Sequence, residues 1–212
     1  MTDAPPPAGE SALLFLAGFF VATPSAGCRQ GWDLENERKV DADLGSMRGM
    51  IRPARMEDVP VIAEFVRELA EYERLSDEVV LNEEDLRQHL FGKRRYAEVL
   101  IAEEENGIAV GFALFMHNYS TFLASPGIYL EDLFVRPAHR GKGHGKALLR
   151  ELARIAVERG CGRFEWAVLD WNSPAIEFYR SLGARPMHDW TIFRVTGDAL
   201  LKLGGGGQKP HQ

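Results

Sequence analysis

The chain has 212 residues, 45% hydrophobic and 26% charged, which suits one globular domain with length to spare and excludes whole-chain disorder, collagen and coiled coil. With 25 basic against 31 acidic residues the formal net charge is −6, so no global field favours phosphate backbones and nucleic acid is not an expected partner. Two cysteines, Cys28 and Cys161, are too few for a disulfide framework or a structural zinc site, and a reducing, cytoplasmic compartment is the simplest reading.

Residues 1–49 differ from the rest. They open on Pro5-Pro6-Pro7 and carry an apolar run from Ala12 to Ala22, far shorter than the roughly 20 residues that span a bilayer. The run has the length of a signal-peptide core. However, Asp3 and Glu10 precede it without any Lys or Arg, so the positive n-region is missing. The stretch reads as a poorly ordered extension with Met47 and Met50 as alternative starts, and no membrane partner is expected. Patterning begins at residue 50 and ends near 203. Gly204 to Gly207 and the polar residues to 212 read as a flexible tail.

Within 50–203 the elements alternate in type. Met50–Ala54 predicts a short strand. A helix is predicted from Glu57 to Glu73, with Val59, Ile62, Phe65, Val66, Leu69 and Tyr72 on one face and Pro60 in the first turn. Asn82 is placed to cap a second helix to Phe91. Glu98–Glu103 and Ile108–Phe115 predict strands joined at Asn106-Gly107, a pair that favours a tight turn. Ile128–Val135 predicts a third long strand, and a helix follows from Lys142 or His144 to Arg159. Phe164–Leu169 predicts a strand, Ser173-Pro174 a helix start with Ser173 as cap and Gly183 as stop, and Thr191–Val195 a last strand. A hairpin followed by strand–helix units predicts an α/β domain with a mixed sheet and flanking helices.

The segment Arg140-Gly141-Lys142-Gly143-His144-Gly145-Lys146 follows a strand and opens a helix. Glycines there let backbone N–H groups approach an anion, and the helix start adds partial positive charge to that of the three cations. A phosphate or pyrophosphate is the natural guest. The spacing fits neither the dinucleotide pattern G-x-G-x-x-G nor the triphosphate loop G-x-x-x-x-G-K-[ST]. The histidines show no metal-ligand spacing, and no metal is expected. Glu131 and Asp132 lie side by side in the apolar strand, nominally on opposite faces, so at least one needs a partner or a cation.

The loop does match R-x-x-G-x-G and resembles the acetyl-CoA loop of the GNAT superfamily of N-acetyltransferases. Further stretches make the chain similar to the diamine (spermidine/spermine) and thialysine acetyltransferases. These are Ile51-Arg52-Pro53-Ala54, Glu68 to Glu73, Tyr129 to Val135, and Trp171 to Tyr179. The resemblance implies a GNAT acyl-CoA N-acyltransferase fold, with a mixed, mostly antiparallel sheet. A splay between the third long strand and the one after it would admit acetyl-CoA. It implies that Leu133, Phe134 and Val135 line the pantetheine arm through backbone groups. It gives Arg140, Gly141, Lys142, Gly143, His144, Gly145 and Lys146 to the pyrophosphate, and Asn172, Ser173, Pro174 and Ala175 to the other side of the arm. Tyr179 falls at the general-acid position. Tyr72, Glu73, Glu131, Glu165, Trp166 and Ala167 fall at amine-substrate positions, and a homodimer is implied.

Residue chemistry points the same way. An alkyl amine, with a pKa of about 10.4, arrives protonated; Glu131, directly or through water, can take its proton. Strand N–H groups can stabilise the developing oxyanion. A tyrosine can protonate the departing thiolate. No covalent enzyme intermediate is needed. The resemblance has one departure: the vertebrate diamine enzymes carry adjacent acidic residues in the loop after the tyrosine, whereas here only Asp189 stands between Arg180 and Trp190. A shorter diamine, thialysine or a related amino acid is therefore at least as suitable as a polyamine. The rival expectations are a protein or peptide N-acetyltransferase and a non-catalytic acyl-CoA-binding regulatory module.

Overall fold

The computed structural model describes residues 51–205; the expectations for residues 1–49 and for the tail beyond Gly205 lie outside them. In chain order the elements are β1 (Ile51–Pro53), α1 (Val59–Glu73), α2 (Glu83–Phe91), β2 (Glu98–Glu103), β3 (Ala109–Ser120), β4 (Ser125–Val135), α3 (His144–Glu158), β5 (Arg163–Trp166), α4 (Ser173–Ser181) and α5 (Gly197–Leu203). The strands form one sheet in the order β1-β2-β3-β4-β5. All pairs are antiparallel except β4 with β5, which is parallel. The expected α/β architecture with a mixed, mostly antiparallel sheet is the one observed. Among the described residues no helix is long and apolar enough to cross a membrane.

Helices cover both faces. On one, Ile62, Phe65 and Leu69 of α1 pack with Leu90 of α2 against Val99, Ile101, Phe112 and Phe134. Phe65 stacks on Phe112 at 5.6 Å between ring centroids, and truncating such a phenylalanine to alanine costs about 3–5 kcal/mol. On the other face, Leu148, Leu149, Leu152, Ile155 and Ala156 of α3 meet Leu100, Ala113, Phe115, Ile128 and Leu130. Cys161 packs at the edge of this cluster.

Several boundaries differ from expectation for local reasons. Strands β3 and β4 run on to Ser120 and Ser125 because these residues still pair across the hairpin. The α4 cap is Asn172, not Ser173: its side chain accepts from the Ala175 N–H at 3.4 Å. Strand β5 stops at Trp166, three residues early, because its pairing with β4 ends at Leu130 opposite Trp166. Thr191–Val195 forms no strand. The segment pairs with no strand among the described residues, and Ile192 and Phe193 are 74% and 90% exposed. The short α5 that follows was not anticipated.

Two irregularities shape the site. Past Leu130, β4 has no partner on the β5 side, which opens the expected splay. The β3–β4 register also slips there: Leu114 faces Asp132 and Phe115 faces Leu130, leaving Glu131 as the extra, bulged residue.

Candidate active site

The glycine loop takes the form its composition predicts. Gly141 and Gly143 have φ of 77° and 92°, a left-handed backbone that side-chain-bearing residues rarely adopt. Gly143 is the N-cap of α3 and brings no side-chain cap to that helix start. The first-turn N–H groups, which have no intrahelical acceptors, therefore form an anion cradle. The cations are arranged less simply. Glu104 Oε1 lies 2.8 Å from both Lys142 Nζ and His139 Nδ1, and Lys142 followed by His139 pulls the Glu104 carboxyl down to about 2. Arg140 Nε donates to the Val135 carbonyl at 2.9 Å, and its guanidinium lies over the Tyr72 ring at 4.6 Å. His144 turns its side chain away from solvent. Its side chain is 2% exposed and neither ring nitrogen has a partner among the described residues. Burial lowers its pKa, as do His139 and Lys142, while Glu104 opposes. The neutral ring packs beneath the loop, which leaves only the His144 backbone for an anion.

The splay runs from this loop along the free side of β4. Phe134 is buried in the α1 cluster, and Leu133 and Val135 pack toward α3, so the backbone of residues 131–135 is what the slot presents. The start of α4 forms the opposite bank, with Asn172, Ser173, Pro174 and Ala175. Asn172 Oδ1 also meets the Tyr72 hydroxyl at 3.5 Å, joining the end of α1 to that bank.

Beyond the slot lies an acidic pocket. Alternation counted from Leu130 in the α3 cluster and from Phe134 in the α1 cluster puts both Glu131 and Asp132 on the α1 side, because the bulge absorbs the extra residue. Burial, then Glu131 and Glu73, push the Asp132 carboxyl up to about 6. Burial alone raises Glu73. Tyr179 is raised by burial, then Glu73 and Tyr72, so it stays a phenol and a proton donor. Its ring stands edge-on to Trp166 at 5.1 Å.

Glu73 is the common neighbour: it bears on both Asp132 and Tyr179, Tyr72 bears on Tyr179, and Glu131, itself exposed, bears on Asp132. Glu165 is placed differently: Asn118 Nδ2 donates to it at 2.8 Å, and Arg163 Nε makes an ion-pair contact at 2.8 Å that lacks hydrogen-bond alignment. This carboxylate is already engaged by both. Trp166 supports Tyr179 from the core side, and Ala167 lies exposed just past the end of β5. Sequence reasoning gave Arg74 and Trp171 no place in the site and left open which of Glu131 and Asp132 needs a cation. Asp132 is aimed into the pocket by a bulge that periodicity does not reveal. Trp171 and Arg74 form a contact across the mouth, with Arg74 Cζ 5.9 Å from the Trp171 ring centre.

A family model described as the Acetyltransferase (GNAT) family matches residues 62–184. The chain belongs to the GNAT acetyltransferase family. This GNAT chain is 40% identical over 166 residues to the Thialysine N-epsilon-acetyltransferase of Sus scrofa, covering 74% of this chain and 97% of that one. It is 34% identical to the L-ornithine N5-acetyltransferase NATA1 of Arabidopsis thaliana, covering 74% and 88%. Among solved structures it matches an integron cassette protein from the mobile metagenome of V. cholerae, with a TM-score of 0.61, 29% identity, and coverage of 73% and 96%. GNAT membership makes the protein an acetyltransferase and implies acetyl-CoA as co-substrate. The uncapped start of α3, its left-handed glycines and the slot beside β4 fit a pyrophosphate followed by a narrow arm.

Proposed function

We propose that this GNAT enzyme acetylates the primary amine of a small diamine, polyamine or lysine-like amino acid by direct attack in a ternary complex. The carrying observation is the pocket of Glu73, Glu131 and Asp132 next to Tyr179 at the slot. Carboxyls crowded enough to raise one another, beside a phenol, attract an ammonium. The names of the relatives, which include thialysine and L-ornithine acetyltransferases, support the same class.

We assign the roles as follows. Backbone N–H groups of Gly143, His144 and Gly145, with Lys146 and Arg140, hold the pyrophosphate of acetyl-CoA, which when bound supplies the acetyl thioester. The backbone of Leu133, Phe134 and Val135 aligns the arm from one bank, and Asn172 to Ala175 from the other. Glu131 or Asp132 takes one proton from the incoming ammonium, which frees its lone pair; the nitrogen sheds a second as the amide forms and the C–S bond breaks, and that proton replaces the one Tyr179 gives to sulfur. Tyr179 Oη gives a proton to the departing sulfur. Tyr72 and Glu73 close the amine side. In this reading the working unit is residues 50–203, within which the family match falls. It acts in the cytoplasm as a homodimer, consistent with the exposed Trp190, Ile192 and Phe193.

The test is an acetyl-transfer screen of the purified chain against diamines, polyamines, lysine analogues and peptides, with Tyr179→Phe alongside. Small amines are expected to be turned over, and the variant to lose about 100-fold or more in kcat. Unchanged turnover in the variant defeats the mechanism, and preference for peptides defeats the substrate class.

A further inference from the structure

Arg74 is an unusual residue in a conspicuous place. It follows Tyr72-Glu73 as the C-cap of α1, with φ of 63° and ψ of 34°, a left-handed conformation uncommon outside glycine and asparagine. Its backbone N–H closes the helix onto the Ala70 and Glu71 carbonyls, which turns the chain at the pocket rim. The guanidinium lies over Trp171, on the far bank of the mouth, and Trp171 in turn touches Tyr72 at 6.1 Å between ring centres. A row of cation, indole, phenol and cation results: Arg74, Trp171, Tyr72, Arg140.

The two cations of this row are not equivalent. Arg140 is tied to the Val135 carbonyl beside the glycine loop. Arg74 meets no carboxylate among the described residues. The adjacent Glu73 is raised by burial. A guanidinium with no carboxylate partner thus stands next in sequence to Glu73 and one aromatic contact from Tyr72, at the edge of the acidic cluster.

We infer that Arg74 binds the α-carboxylate of an amino acid whose side-chain amine enters the acidic pocket, and so selects amino acids over simple diamines. The inference rests on the amine-acceptor reading above. An arginine fork suits a carboxylate by charge and geometry. A diamine instead places its distal ammonium near the guanidinium, where like charges repel.

L-Ornithine and putrescine differ only by the α-carboxylate and make the natural pair of probes. The wild-type chain should prefer ornithine by about 10-fold or more in kcat/KM, the size of one charge-assisted contact. Arg74→Asn keeps a residue that tolerates the left-handed backbone. It should lose most of the ornithine rate while putrescine holds or improves, and Arg74→Lys should recover part of the preference. Equal use of both amines by the wild type overturns the inference. So does an equal fall on both amines in Arg74→Asn, which would mark a structural role, or no change on either. Transfer to neither amine by a wild type that still binds acetyl-CoA overturns the amine-acceptor reading, and this inference with it.

Discussion

Asp132 is pushed to about 6 by burial and by its neighbours Glu131 and Glu73, and this sets opposite demands on stability and activity. The folded chain binds the proton more tightly than the unfolded chain, whose carboxyl titrates near 3.8. Stability therefore falls as pH rises from about 4 to about 6 and stays lower above it. A shift of that size corresponds to roughly 3 kcal/mol. Asp132→Asn should accordingly raise the melting temperature at pH 7.5 while lowering kcat/KM for the amine. In the wild type, the log of kcat/KM should fall more steeply with acidity below about pH 6, as the carboxylate that attracts the ammonium is neutralised. That extra break should vanish in Asp132→Asn; its survival there would assign the titration elsewhere. The buried His144 also resists protonation, but its acid-side loss should appear in KM for acetyl-CoA, which separates the two groups. Residue types announced this pocket only in part. Glu131-Asp132 in an apolar strand is visible as an anomaly, whereas the slip opposite Leu114 arises from pairing between strands and leaves no mark in one strand's periodicity.

Among the elements, the clearest signals were local ones. Gly107 with φ of 78° turns the β2–β3 hairpin, and Asn82 caps α2 by accepting from the Glu84 N–H at 2.8 Å. Both are dictated by residues within a few positions, which is why the sequence pattern alone placed them. The end of β5 and the absence of a strand at Thr191–Val195 depend instead on what lies alongside, which local patterning does not report. The glycine loop belongs to the first kind and can be tested directly. Gly143→Asp places a β-carbon at φ of 92° and a negative charge where the α3 amides converge. Acetyl-CoA affinity measured by calorimetry should fall at least about 100-fold, the two penalties together reaching about 3 kcal/mol. Unaltered binding would move the pyrophosphate site away from α3. Removing Glu104 should act in the opposite sense, since its carboxylate holds Lys142 at 2.8 Å and competes with a phosphate for that cation.

At the scale of the molecule, the apolar surface of residues 187–195 stands out: Met187, Trp190, Ile192 and Phe193 are 62–90% exposed. A second copy of the chain is the partner that the proposed homodimer supplies. Light scattering should give twice the chain mass for the wild type, and Ile192→Asp with Phe193→Asp should shift it to the monomer. A monomeric wild type would remove the dimer from the functional reading. The open side of the slot has a further consequence. Its β4 bank is anchored through β3 and the α1 and α3 clusters, whereas the other bank is a four-residue strand and a helix that buries no side chain completely. The β5–α4 jaw is the more lightly anchored of the two, held to the α3 cluster through the partly buried Phe164, Trp166, Phe178 and Tyr179. Widening to admit a bulky thioester is therefore expected on that side, which would carry Tyr179 while Glu131 and Asp132 stay with β4.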